Sequence, residues 1–262
     1  MLKLIVSDLD GTLLSEEKQL PTDFWEVESQ LVKNGILFCV ASGRQFYNME
    51  ALFEPIKHRT LFVSENGTYV SYKGELLYLN VLQKKDIATF IEIGRKITGA
   101  NIILCGKHAA YVESSEPDFI AQASLYYERL EKVERLDTVD DQIMKVTICD
   151  FISPETNSFP FFEQYSTSFK VVVSGKIWLD ITNKNADKGA AIEMIQEKMN
   201  ITSEHTMVFG DYLNDLEMMA SARYSYAMRN AHPEIIRAAK FVTLQSNNEN
   251  GVTKTIKKYF GW

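Results

Sequence analysis

The 262-residue chain predicts a three-layer α/β core with a mainly parallel sheet, interrupted by an inserted α+β domain. Three observations carry this. Apolar, β-rich runs near the N-terminus each end in a polar turn and hand over to a helical pattern, the alternation that builds a parallel sheet with right-handed crossovers. After about Val81 the rhythm changes to short alternating strands joined by hairpin turns. From Asp187 the first rhythm resumes, so the chain leaves its core once and returns.

The run Leu4-Ile5-Val6-Ser7 predicts the first strand, ending at Asp8-Leu9-Asp10 and a Gly11-Thr12 turn. A polar loop over 15–20 precedes a helical pattern from Pro21-Thr22 to Lys33, closed by Asn34-Gly35 as Asn and Gly close helices. Residues 36–41 are continuously apolar, as in a strand buried on both faces. They stop at Ser42-Gly43-Arg44, where a second helix is expected from about Gly43 with Ser42 as its cap. Leu61-Phe62-Val63-Ser64 repeats the pattern and ends in the turn Glu65-Asn66-Gly67. In the insertion, placed at 83–184, a helix is predicted over 84–97. Strands follow near 102–104, 110–112, 144–149, 170–173 and 178–181, with Gly106-Lys107-His108 and Ser174-Gly175-Lys176 as hairpin turns. The core, 1–82 and 185–262, then resumes with a helix over 187–199, a strand at 207–209 and a helix over 213–222. Strand-like pieces at 224–228 and 241–243 and a terminal helix complete it.

Composition narrows the function. The protein is 45% hydrophobic and 24% charged with a formal charge of -7. No run of Lys and Arg offers a nucleic acid or membrane surface as main partner. Cys39, Cys105 and Cys149 sit in strand-like runs without metal-ligand spacing and are expected as buried thiols. The four histidines share no ligand spacing either. The first apolar segment is cut short by acid at Asp8, so no signal peptide is expected, and no apolar run approaches the ~20 residues that span a bilayer. A cytoplasmic protein is expected.

The chemistry gathers at one predicted sheet edge. A strand still extended at Asp8 puts Asp8 and Asp10 on one face, roughly 7 Å apart, at the carboxyl end where open α/β sheets bind ligands. Two such like charges call for a cation or a shared proton. Ser42, Lys188-Gly189, Gly210-Asp211 and Asn214-Asp215 belong to the same edge. Together these segments supply a nucleophile, an acid/base, a hydroxyl, a fixed cation and a third carboxylate, the needs of phosphoryl transfer.

Asp8-Leu9-Asp10-Gly11-Thr12-Leu13-Leu14 resembles the first motif of the haloacid dehalogenase superfamily. Ala41-Ser42-Gly43-Arg44, Lys188-Gly189 and Gly210-Asp211-Tyr212-Leu213-Asn214-Asp215 are similar to its second, third and fourth, in order. The insertion, with Glu65-Asn66-Gly67 and Ala227-Met228-Arg229-Asn230-Ala231, resembles the Cof-type subfamily of sugar phosphatases with a large α+β cap. The resemblance implies a Rossmann-like core and an Mg²⁺-dependent phosphatase acting on small phosphate monoesters, such as sugar phosphates. It gives Asp8 as nucleophile, Asp10 as acid/base, and Ser42, Gly43 and Asn214 as phosphate binders. Lys188 becomes the neutralising cation of the catalytic set. Mg²⁺ is held by Asp8, the Asp10 carbonyl and Asp211, with Asp215 orienting Lys188 or a metal-bound water. Tyr212 stands where many relatives carry Asn.

Plainer roles exist for the same residues. Lys188 in a first helical turn opposes the helix dipole, which favours function over stability, whereas Asn185 or Asp187 suits the cap. Asp215 has the plainer reading of a first-turn acid, and Arg44 reads as a phosphate contact or solvated surface. Phe159 to Phe162 and Tyr126-Tyr127 read as packing within the insertion. A phosphotransferase or mutase with the same nucleophile, or a non-catalytic phosphate sensor, are the alternatives. The expected partner is a small phosphorylated metabolite, bound by a monomer or small homo-oligomer.

Overall fold

The N-terminal apolar run becomes the centre of the core sheet because no side chain in it needs water. In the computed structural model, which describes residues 1–262, β1 (Leu4–Ser7) is buried throughout. Helix α1 (Phe24–Lys33) buries Phe24, Val27 and Leu31 on one face and ends at Asn34 and Gly35, the latter with φ +66°. Strand β2 (Leu37–Ala41) follows, then α2 (Phe46–Leu52), β3 (Leu61–Ser64) and two further strands, β4 (Tyr69–Tyr72) and β5 (Glu75–Leu79).

The second stretch comprises α3 (Lys84–Gly94), β6 (Ala100–Gly106), β7 (Ala110–Val112), α4 (Pro117–Ser124), β8 (Leu130–Lys132), β9 (Ile143–Asp150), α5 (Phe159–Phe162), β10 (Phe169–Gly175) and β11 (Trp178–Asn183). The last comprises α6 (Lys188–Met199), β12 (Thr206–Gly210), α7 (Leu216–Ala220), β13 (Tyr224–Ala227), α8 (Pro233–Ala238), β14 (Phe241–Val242) and α9 (Gly251–Phe260). No helix is long and apolar enough to cross a membrane.

The chain divides into two compact units, Met1–Gly43, Phe53–Leu77 and Asp187–Trp262 in one, Arg44–Leu52 and Tyr78–Ala186 in the other. The first holds a sheet in the order β14-β13-β12-β1-β2-β3-β4-β5. Its strands from β14 to β3 are parallel, and β4 turns back antiparallel on β3. Register matters for the chemistry. Ser7 lies opposite Phe209 on one side and Val40 on the other, so Asp8, Asp211 and Ser42 all leave the sheet at one edge.

The second unit holds a six-stranded sheet in the order β10-β11-β9-β6-β7-β8, antiparallel except for the β7–β8 pair. One face packs Phe90, Ile91, Val146 and Leu179 and the other Ile103, Phe119 and Cys149, each a separate core. Phe162 is buried in the first core and Tyr127 in the second, whereas Phe161 and Tyr126 are exposed. All three cysteines are buried free thiols, and burial pushes those of Cys39 and Cys149 up, away from the reactive thiolate.

Local contacts explain where the elements differ from expectation. Helix α2 begins at Phe46, not near Gly43, so Ser42 does not cap it. Gln45 holds the intervening chain by pairing with the Arg129 backbone, accepting from its N–H at 3.1 Å and donating to its carbonyl at 3.2 Å. Arg129 in turn stacks on the Tyr47 ring at 3.5 Å. The segment expected as one helix over 213–222 is a 3₁₀ turn, Leu213–Asp215, followed by the short α7. The short strand β8 and helix α4 lie between the expected strands in a mixed sequence that lacks a clear period.

Asp150 ties the end of β9 to the turn after it. Its carboxylate accepts from the N–H groups of Ile152 and Ser153 at 2.9 and 3.2 Å, from Asn157 and from the Ser158 hydroxyl. Burial acts to raise its pKa, but the bonds from Ser158, Asn157 and the backbone outweigh that and hold it below the ordinary value of 3.8. The sign follows: the stabilisation is complete above the unfolded value and is lost as pH falls through the lower folded value. Thermal melts between pH 5 and 2 are expected to decline less steeply in Asp150→Asn than in the unsubstituted protein.

Candidate active site

Asp8 follows the last residue of β1, and its N–H donates to the Phe209 carbonyl at 3.0 Å, so it emerges from the sheet still tied to β12. Its side chain is buried beside Lys188, whose Nζ lies 2.6 Å from Asp8 Oδ1 and 2.7 Å from Asp215 Oδ1. Lys188 has no exposed surface. It is the first residue of α6, and Asp187 caps the helix by accepting from the Ala190 N–H at 2.7 Å. Thus the capping falls to the Asp187 carboxylate, and the lysine is placed for its charge.

Asp215 uses both oxygens. While Oδ1 accepts from Lys188, Oδ2 accepts from the N–H groups of Asp211 and Tyr212 at 2.9 and 3.2 Å, which closes the 3₁₀ turn and aims Asp211. The two readings of Asp215, first-turn acid and partner of Lys188, therefore hold together. Asp211 accepts from the Thr12 hydroxyl at 2.8 Å. Asn230 donates to the Gly11 carbonyl at 2.8 Å, fastening the turn that carries Thr12.

Carboxylate oxygens of Asp8, Asp211 and Asp215 all lie within 4.8 Å of one another. Burial first, and then the neighbouring carboxylates, raise the pKa of Asp8 well above 3.8 although Lys188 opposes them. Burial likewise pushes Asp211 up to about 6 against the Thr12 hydrogen bond. The two carboxylates raise Lys188 despite its burial. One lysine does not neutralise three acids. The residues fit a divalent cation: the donors are oxygen only, which suits a hard ion such as Mg²⁺. Since Asp215 is committed elsewhere, Asp8 and Asp211 are the side chains best able to hold it.

Asp10 lies two residues beyond Asp8 and is partly exposed. Its carboxylate pairs with Lys18 Nζ at 2.7 Å, and Lys18 itself has a left-handed backbone, φ +60°. Sequence reasoning missed Lys18, because a loop lysine carries no periodic signal; the polar loop directly after the Asp8-Leu9-Asp10 segment is the only hint. Ser42 is buried after β2, its N–H donating to the Val63 carbonyl at 2.8 Å. Asn214 Nδ2 donates to Asn66 Oδ1 at 3.1 Å. Arg44 belongs to the other unit, where it donates to Asn48 at 3.0 Å.

Polar side chains of the insertion pair with one another and with its backbone. Asn101 donates to Glu116 at 3.0 Å, and Glu113 accepts both from Arg95 at 2.7 Å and from the Leu136 N–H at 3.1 Å.

The model of the haloacid dehalogenase-like hydrolases matches residues 5–256. The 5-amino-6-(5-phospho-D-ribitylamino)uracil phosphatase YbjI of Escherichia coli is 33% identical over 261 residues, covering 98% of this chain and 96% of its own length. The phosphatase YwpJ of Bacillus subtilis is 26% identical over 289 residues, covering 98% and 99%. A Streptococcus mutans crystal structure superposes with a TM-score of 0.88 at 30% identity over 100% of both chains.

Proposed function

The chain belongs to the haloacid dehalogenase-like hydrolases, of the Cof type, and is a phosphatase; we propose that it hydrolyses small phosphate monoesters, sugar phosphates among them, through an aspartyl-phosphate on Asp8 with Mg²⁺ as cofactor. The observation that carries this reading is the buried Asp8–Lys188–Asp215 array with Asp211 beside it. A structural ion pair needs one acid. Three acids around one lysine, at the carboxyl ends of β1 and β12, suit a site built for a cation and a phosphoryl group.

Each residue has a task in this reading. In the first step an Asp8 oxygen attacks phosphorus, the bond to the leaving alcohol breaks, and Asp10 gives that alcohol its proton. In the second, Asp10 takes a proton from water, whose oxygen displaces the Asp8 carboxylate and releases phosphate. Lys188 holds the Asp8 oxygen in place and neutralises charge on the phosphoryl group. Ser42, the Gly43 backbone and Asn214 donate to its oxygens, and Asp215 fixes Lys188. Asp8, the Asp10 carbonyl and Asp211 would hold Mg²⁺, which supplies positive charge to the transferring group.

The Escherichia coli relative is named for a phosphorylated ribityl chain, a compound of the proposed class. The test is a panel of phosphorylated metabolites, this compound and simple sugar phosphates included, scored as kcat/KM with Mg²⁺ and with EDTA. Free phosphate is expected only with the cation, and at least one sugar or sugar-alcohol phosphate is expected to lead the panel. Transfer to a second alcohol without phosphate release would turn the assignment to a mutase.

A further inference from the structure

We propose that Asn66 is a positioning residue of the phosphate site, acting through Asn214; this rests on the phosphatase reading above. Asn66 follows β3 in a turn where two successive non-glycine residues, Glu65 and Asn66, have φ of +49° and +55°. Asn tolerates the left-handed region, whereas Glu pays sterically for it, so the conformation persists only where its surroundings hold it. Strain of this kind points to a task.

The surroundings are the three segments on which the site is built. The Asn66 N–H donates to the Ser42 carbonyl at 3.0 Å. Its side-chain amide lies against Gly43, where a Cβ would stand 3.1 Å from Oδ1 and 3.2 Å from Nδ2, so the glycine leaves room for the amide. That same Oδ1 accepts from Asn214 Nδ2 at 3.1 Å. The next residue, Gly67, packs on the start of α6: a Cβ there would come within 2.2 Å of the Asp187 carbonyl oxygen and 3.1 Å of the Lys188 nitrogen. One turn therefore touches the chain at Ser42, Lys188 and Asn214, three groups assigned to the phosphoryl oxygens or their charge.

The Asn214 contact joins side chain to side chain. An amide that is free to rotate about its last bond offers either its oxygen or its nitrogen to a ligand. By accepting one Asn214 N–H, Asn66 fixes which way that amide faces and leaves its other N–H to donate to phosphate. Asn66 thus acts before the substrate arrives, by removing the wrong orientation of a phosphate donor.

The experiment uses the full-length enzyme with Mg²⁺, p-nitrophenyl phosphate as substrate and inorganic phosphate as competitive inhibitor. Asn66→Gly is the informative variant, because glycine keeps the left-handed backbone and removes only the amide. Asn66→Gly is expected to raise both KM and the inhibition constant for phosphate about tenfold, with kcat changed less, as loss of a ground-state phosphate contact requires. The double variant Asn66→Gly/Asn214→Ala is expected to be no worse than Asn214→Ala alone. A purely structural turn would lower the melting temperature and leave both constants within twofold of the unsubstituted enzyme, which overturns the proposal. Effects that multiply in the double variant overturn it as well. Absence of phosphate release from the unsubstituted protein is a different failure, since it removes the phosphatase reading and this proposal with it.

Discussion

Asp8→Asn is expected to lower kcat on the order of 10³-fold or more, because an amide cannot form the covalent intermediate that divides the displacement into two steps. The fold should survive the change. Asn has nearly the same shape as Asp, and Lys188 keeps its second partner, Asp215, at 2.7 Å. The companion Asp10→Asn separates the two roles. It is expected to slow leaving-group departure and water attack while still allowing phosphate to be trapped on Asp8, and most of all with an activated leaving group such as p-nitrophenolate. Measurement of kcat and of acid-stable protein-bound phosphate on brief exposure to substrate distinguishes them. A fully active Asp8→Asn enzyme would exclude the aspartyl-phosphate route.

The difference between what sequence and structure reveal has a physical cause. Asp8, Ser42 and Asp211 stand out as candidates in the sequence because each lies where an apolar run meets a turn, and parallel registry carries such points to one edge, whereas Lys188 stands out as a lysine in a first helical turn. That edge is visible in the pairing of Ser7 with both Phe209 and Val40. The mainly parallel sheet and the α+β insertion follow from the same rhythm of runs and turns. Lys18 and Asn66 were not assigned a role because theirs depend on backbone angles, φ +60° and +55°, that no periodicity reports. Asn66 meets a partner 148 residues away, and such a contact exists only once the sheet has formed. The grouping of Arg44–Leu52 with the second unit was hidden for the same reason: Gln45 is held by the backbone of Arg129.

Lys188→Met is expected to cost both stability and catalysis, and the two losses can be separated. Lys188 has no exposed surface and binds two carboxylates, so its removal leaves Asp8 and Asp215 buried together with Asp211 nearby. Breaking one side of such a buried array costs about 3–5 kcal/mol, part of which is recovered if a carboxylate takes up a proton. Met fills much the same volume, so the penalty is electrostatic rather than a cavity. Two additions should test that division. Millimolar Mg²⁺ is expected to raise the melting temperature of Lys188→Met more than that of the unsubstituted protein, because a divalent ion answers the same charge. Adding Asp215→Asn to Lys188→Met is expected to restore stability by removing a buried acid, while kcat stays low because the phosphoryl group beside Asp8 then lacks the lysine's charge. If the double variant regained activity with stability, Lys188 would be a structural counter-ion only. If neither Mg²⁺ nor Asp215→Asn raised the melting temperature, the loss would lie in packing around α6 rather than in its charge.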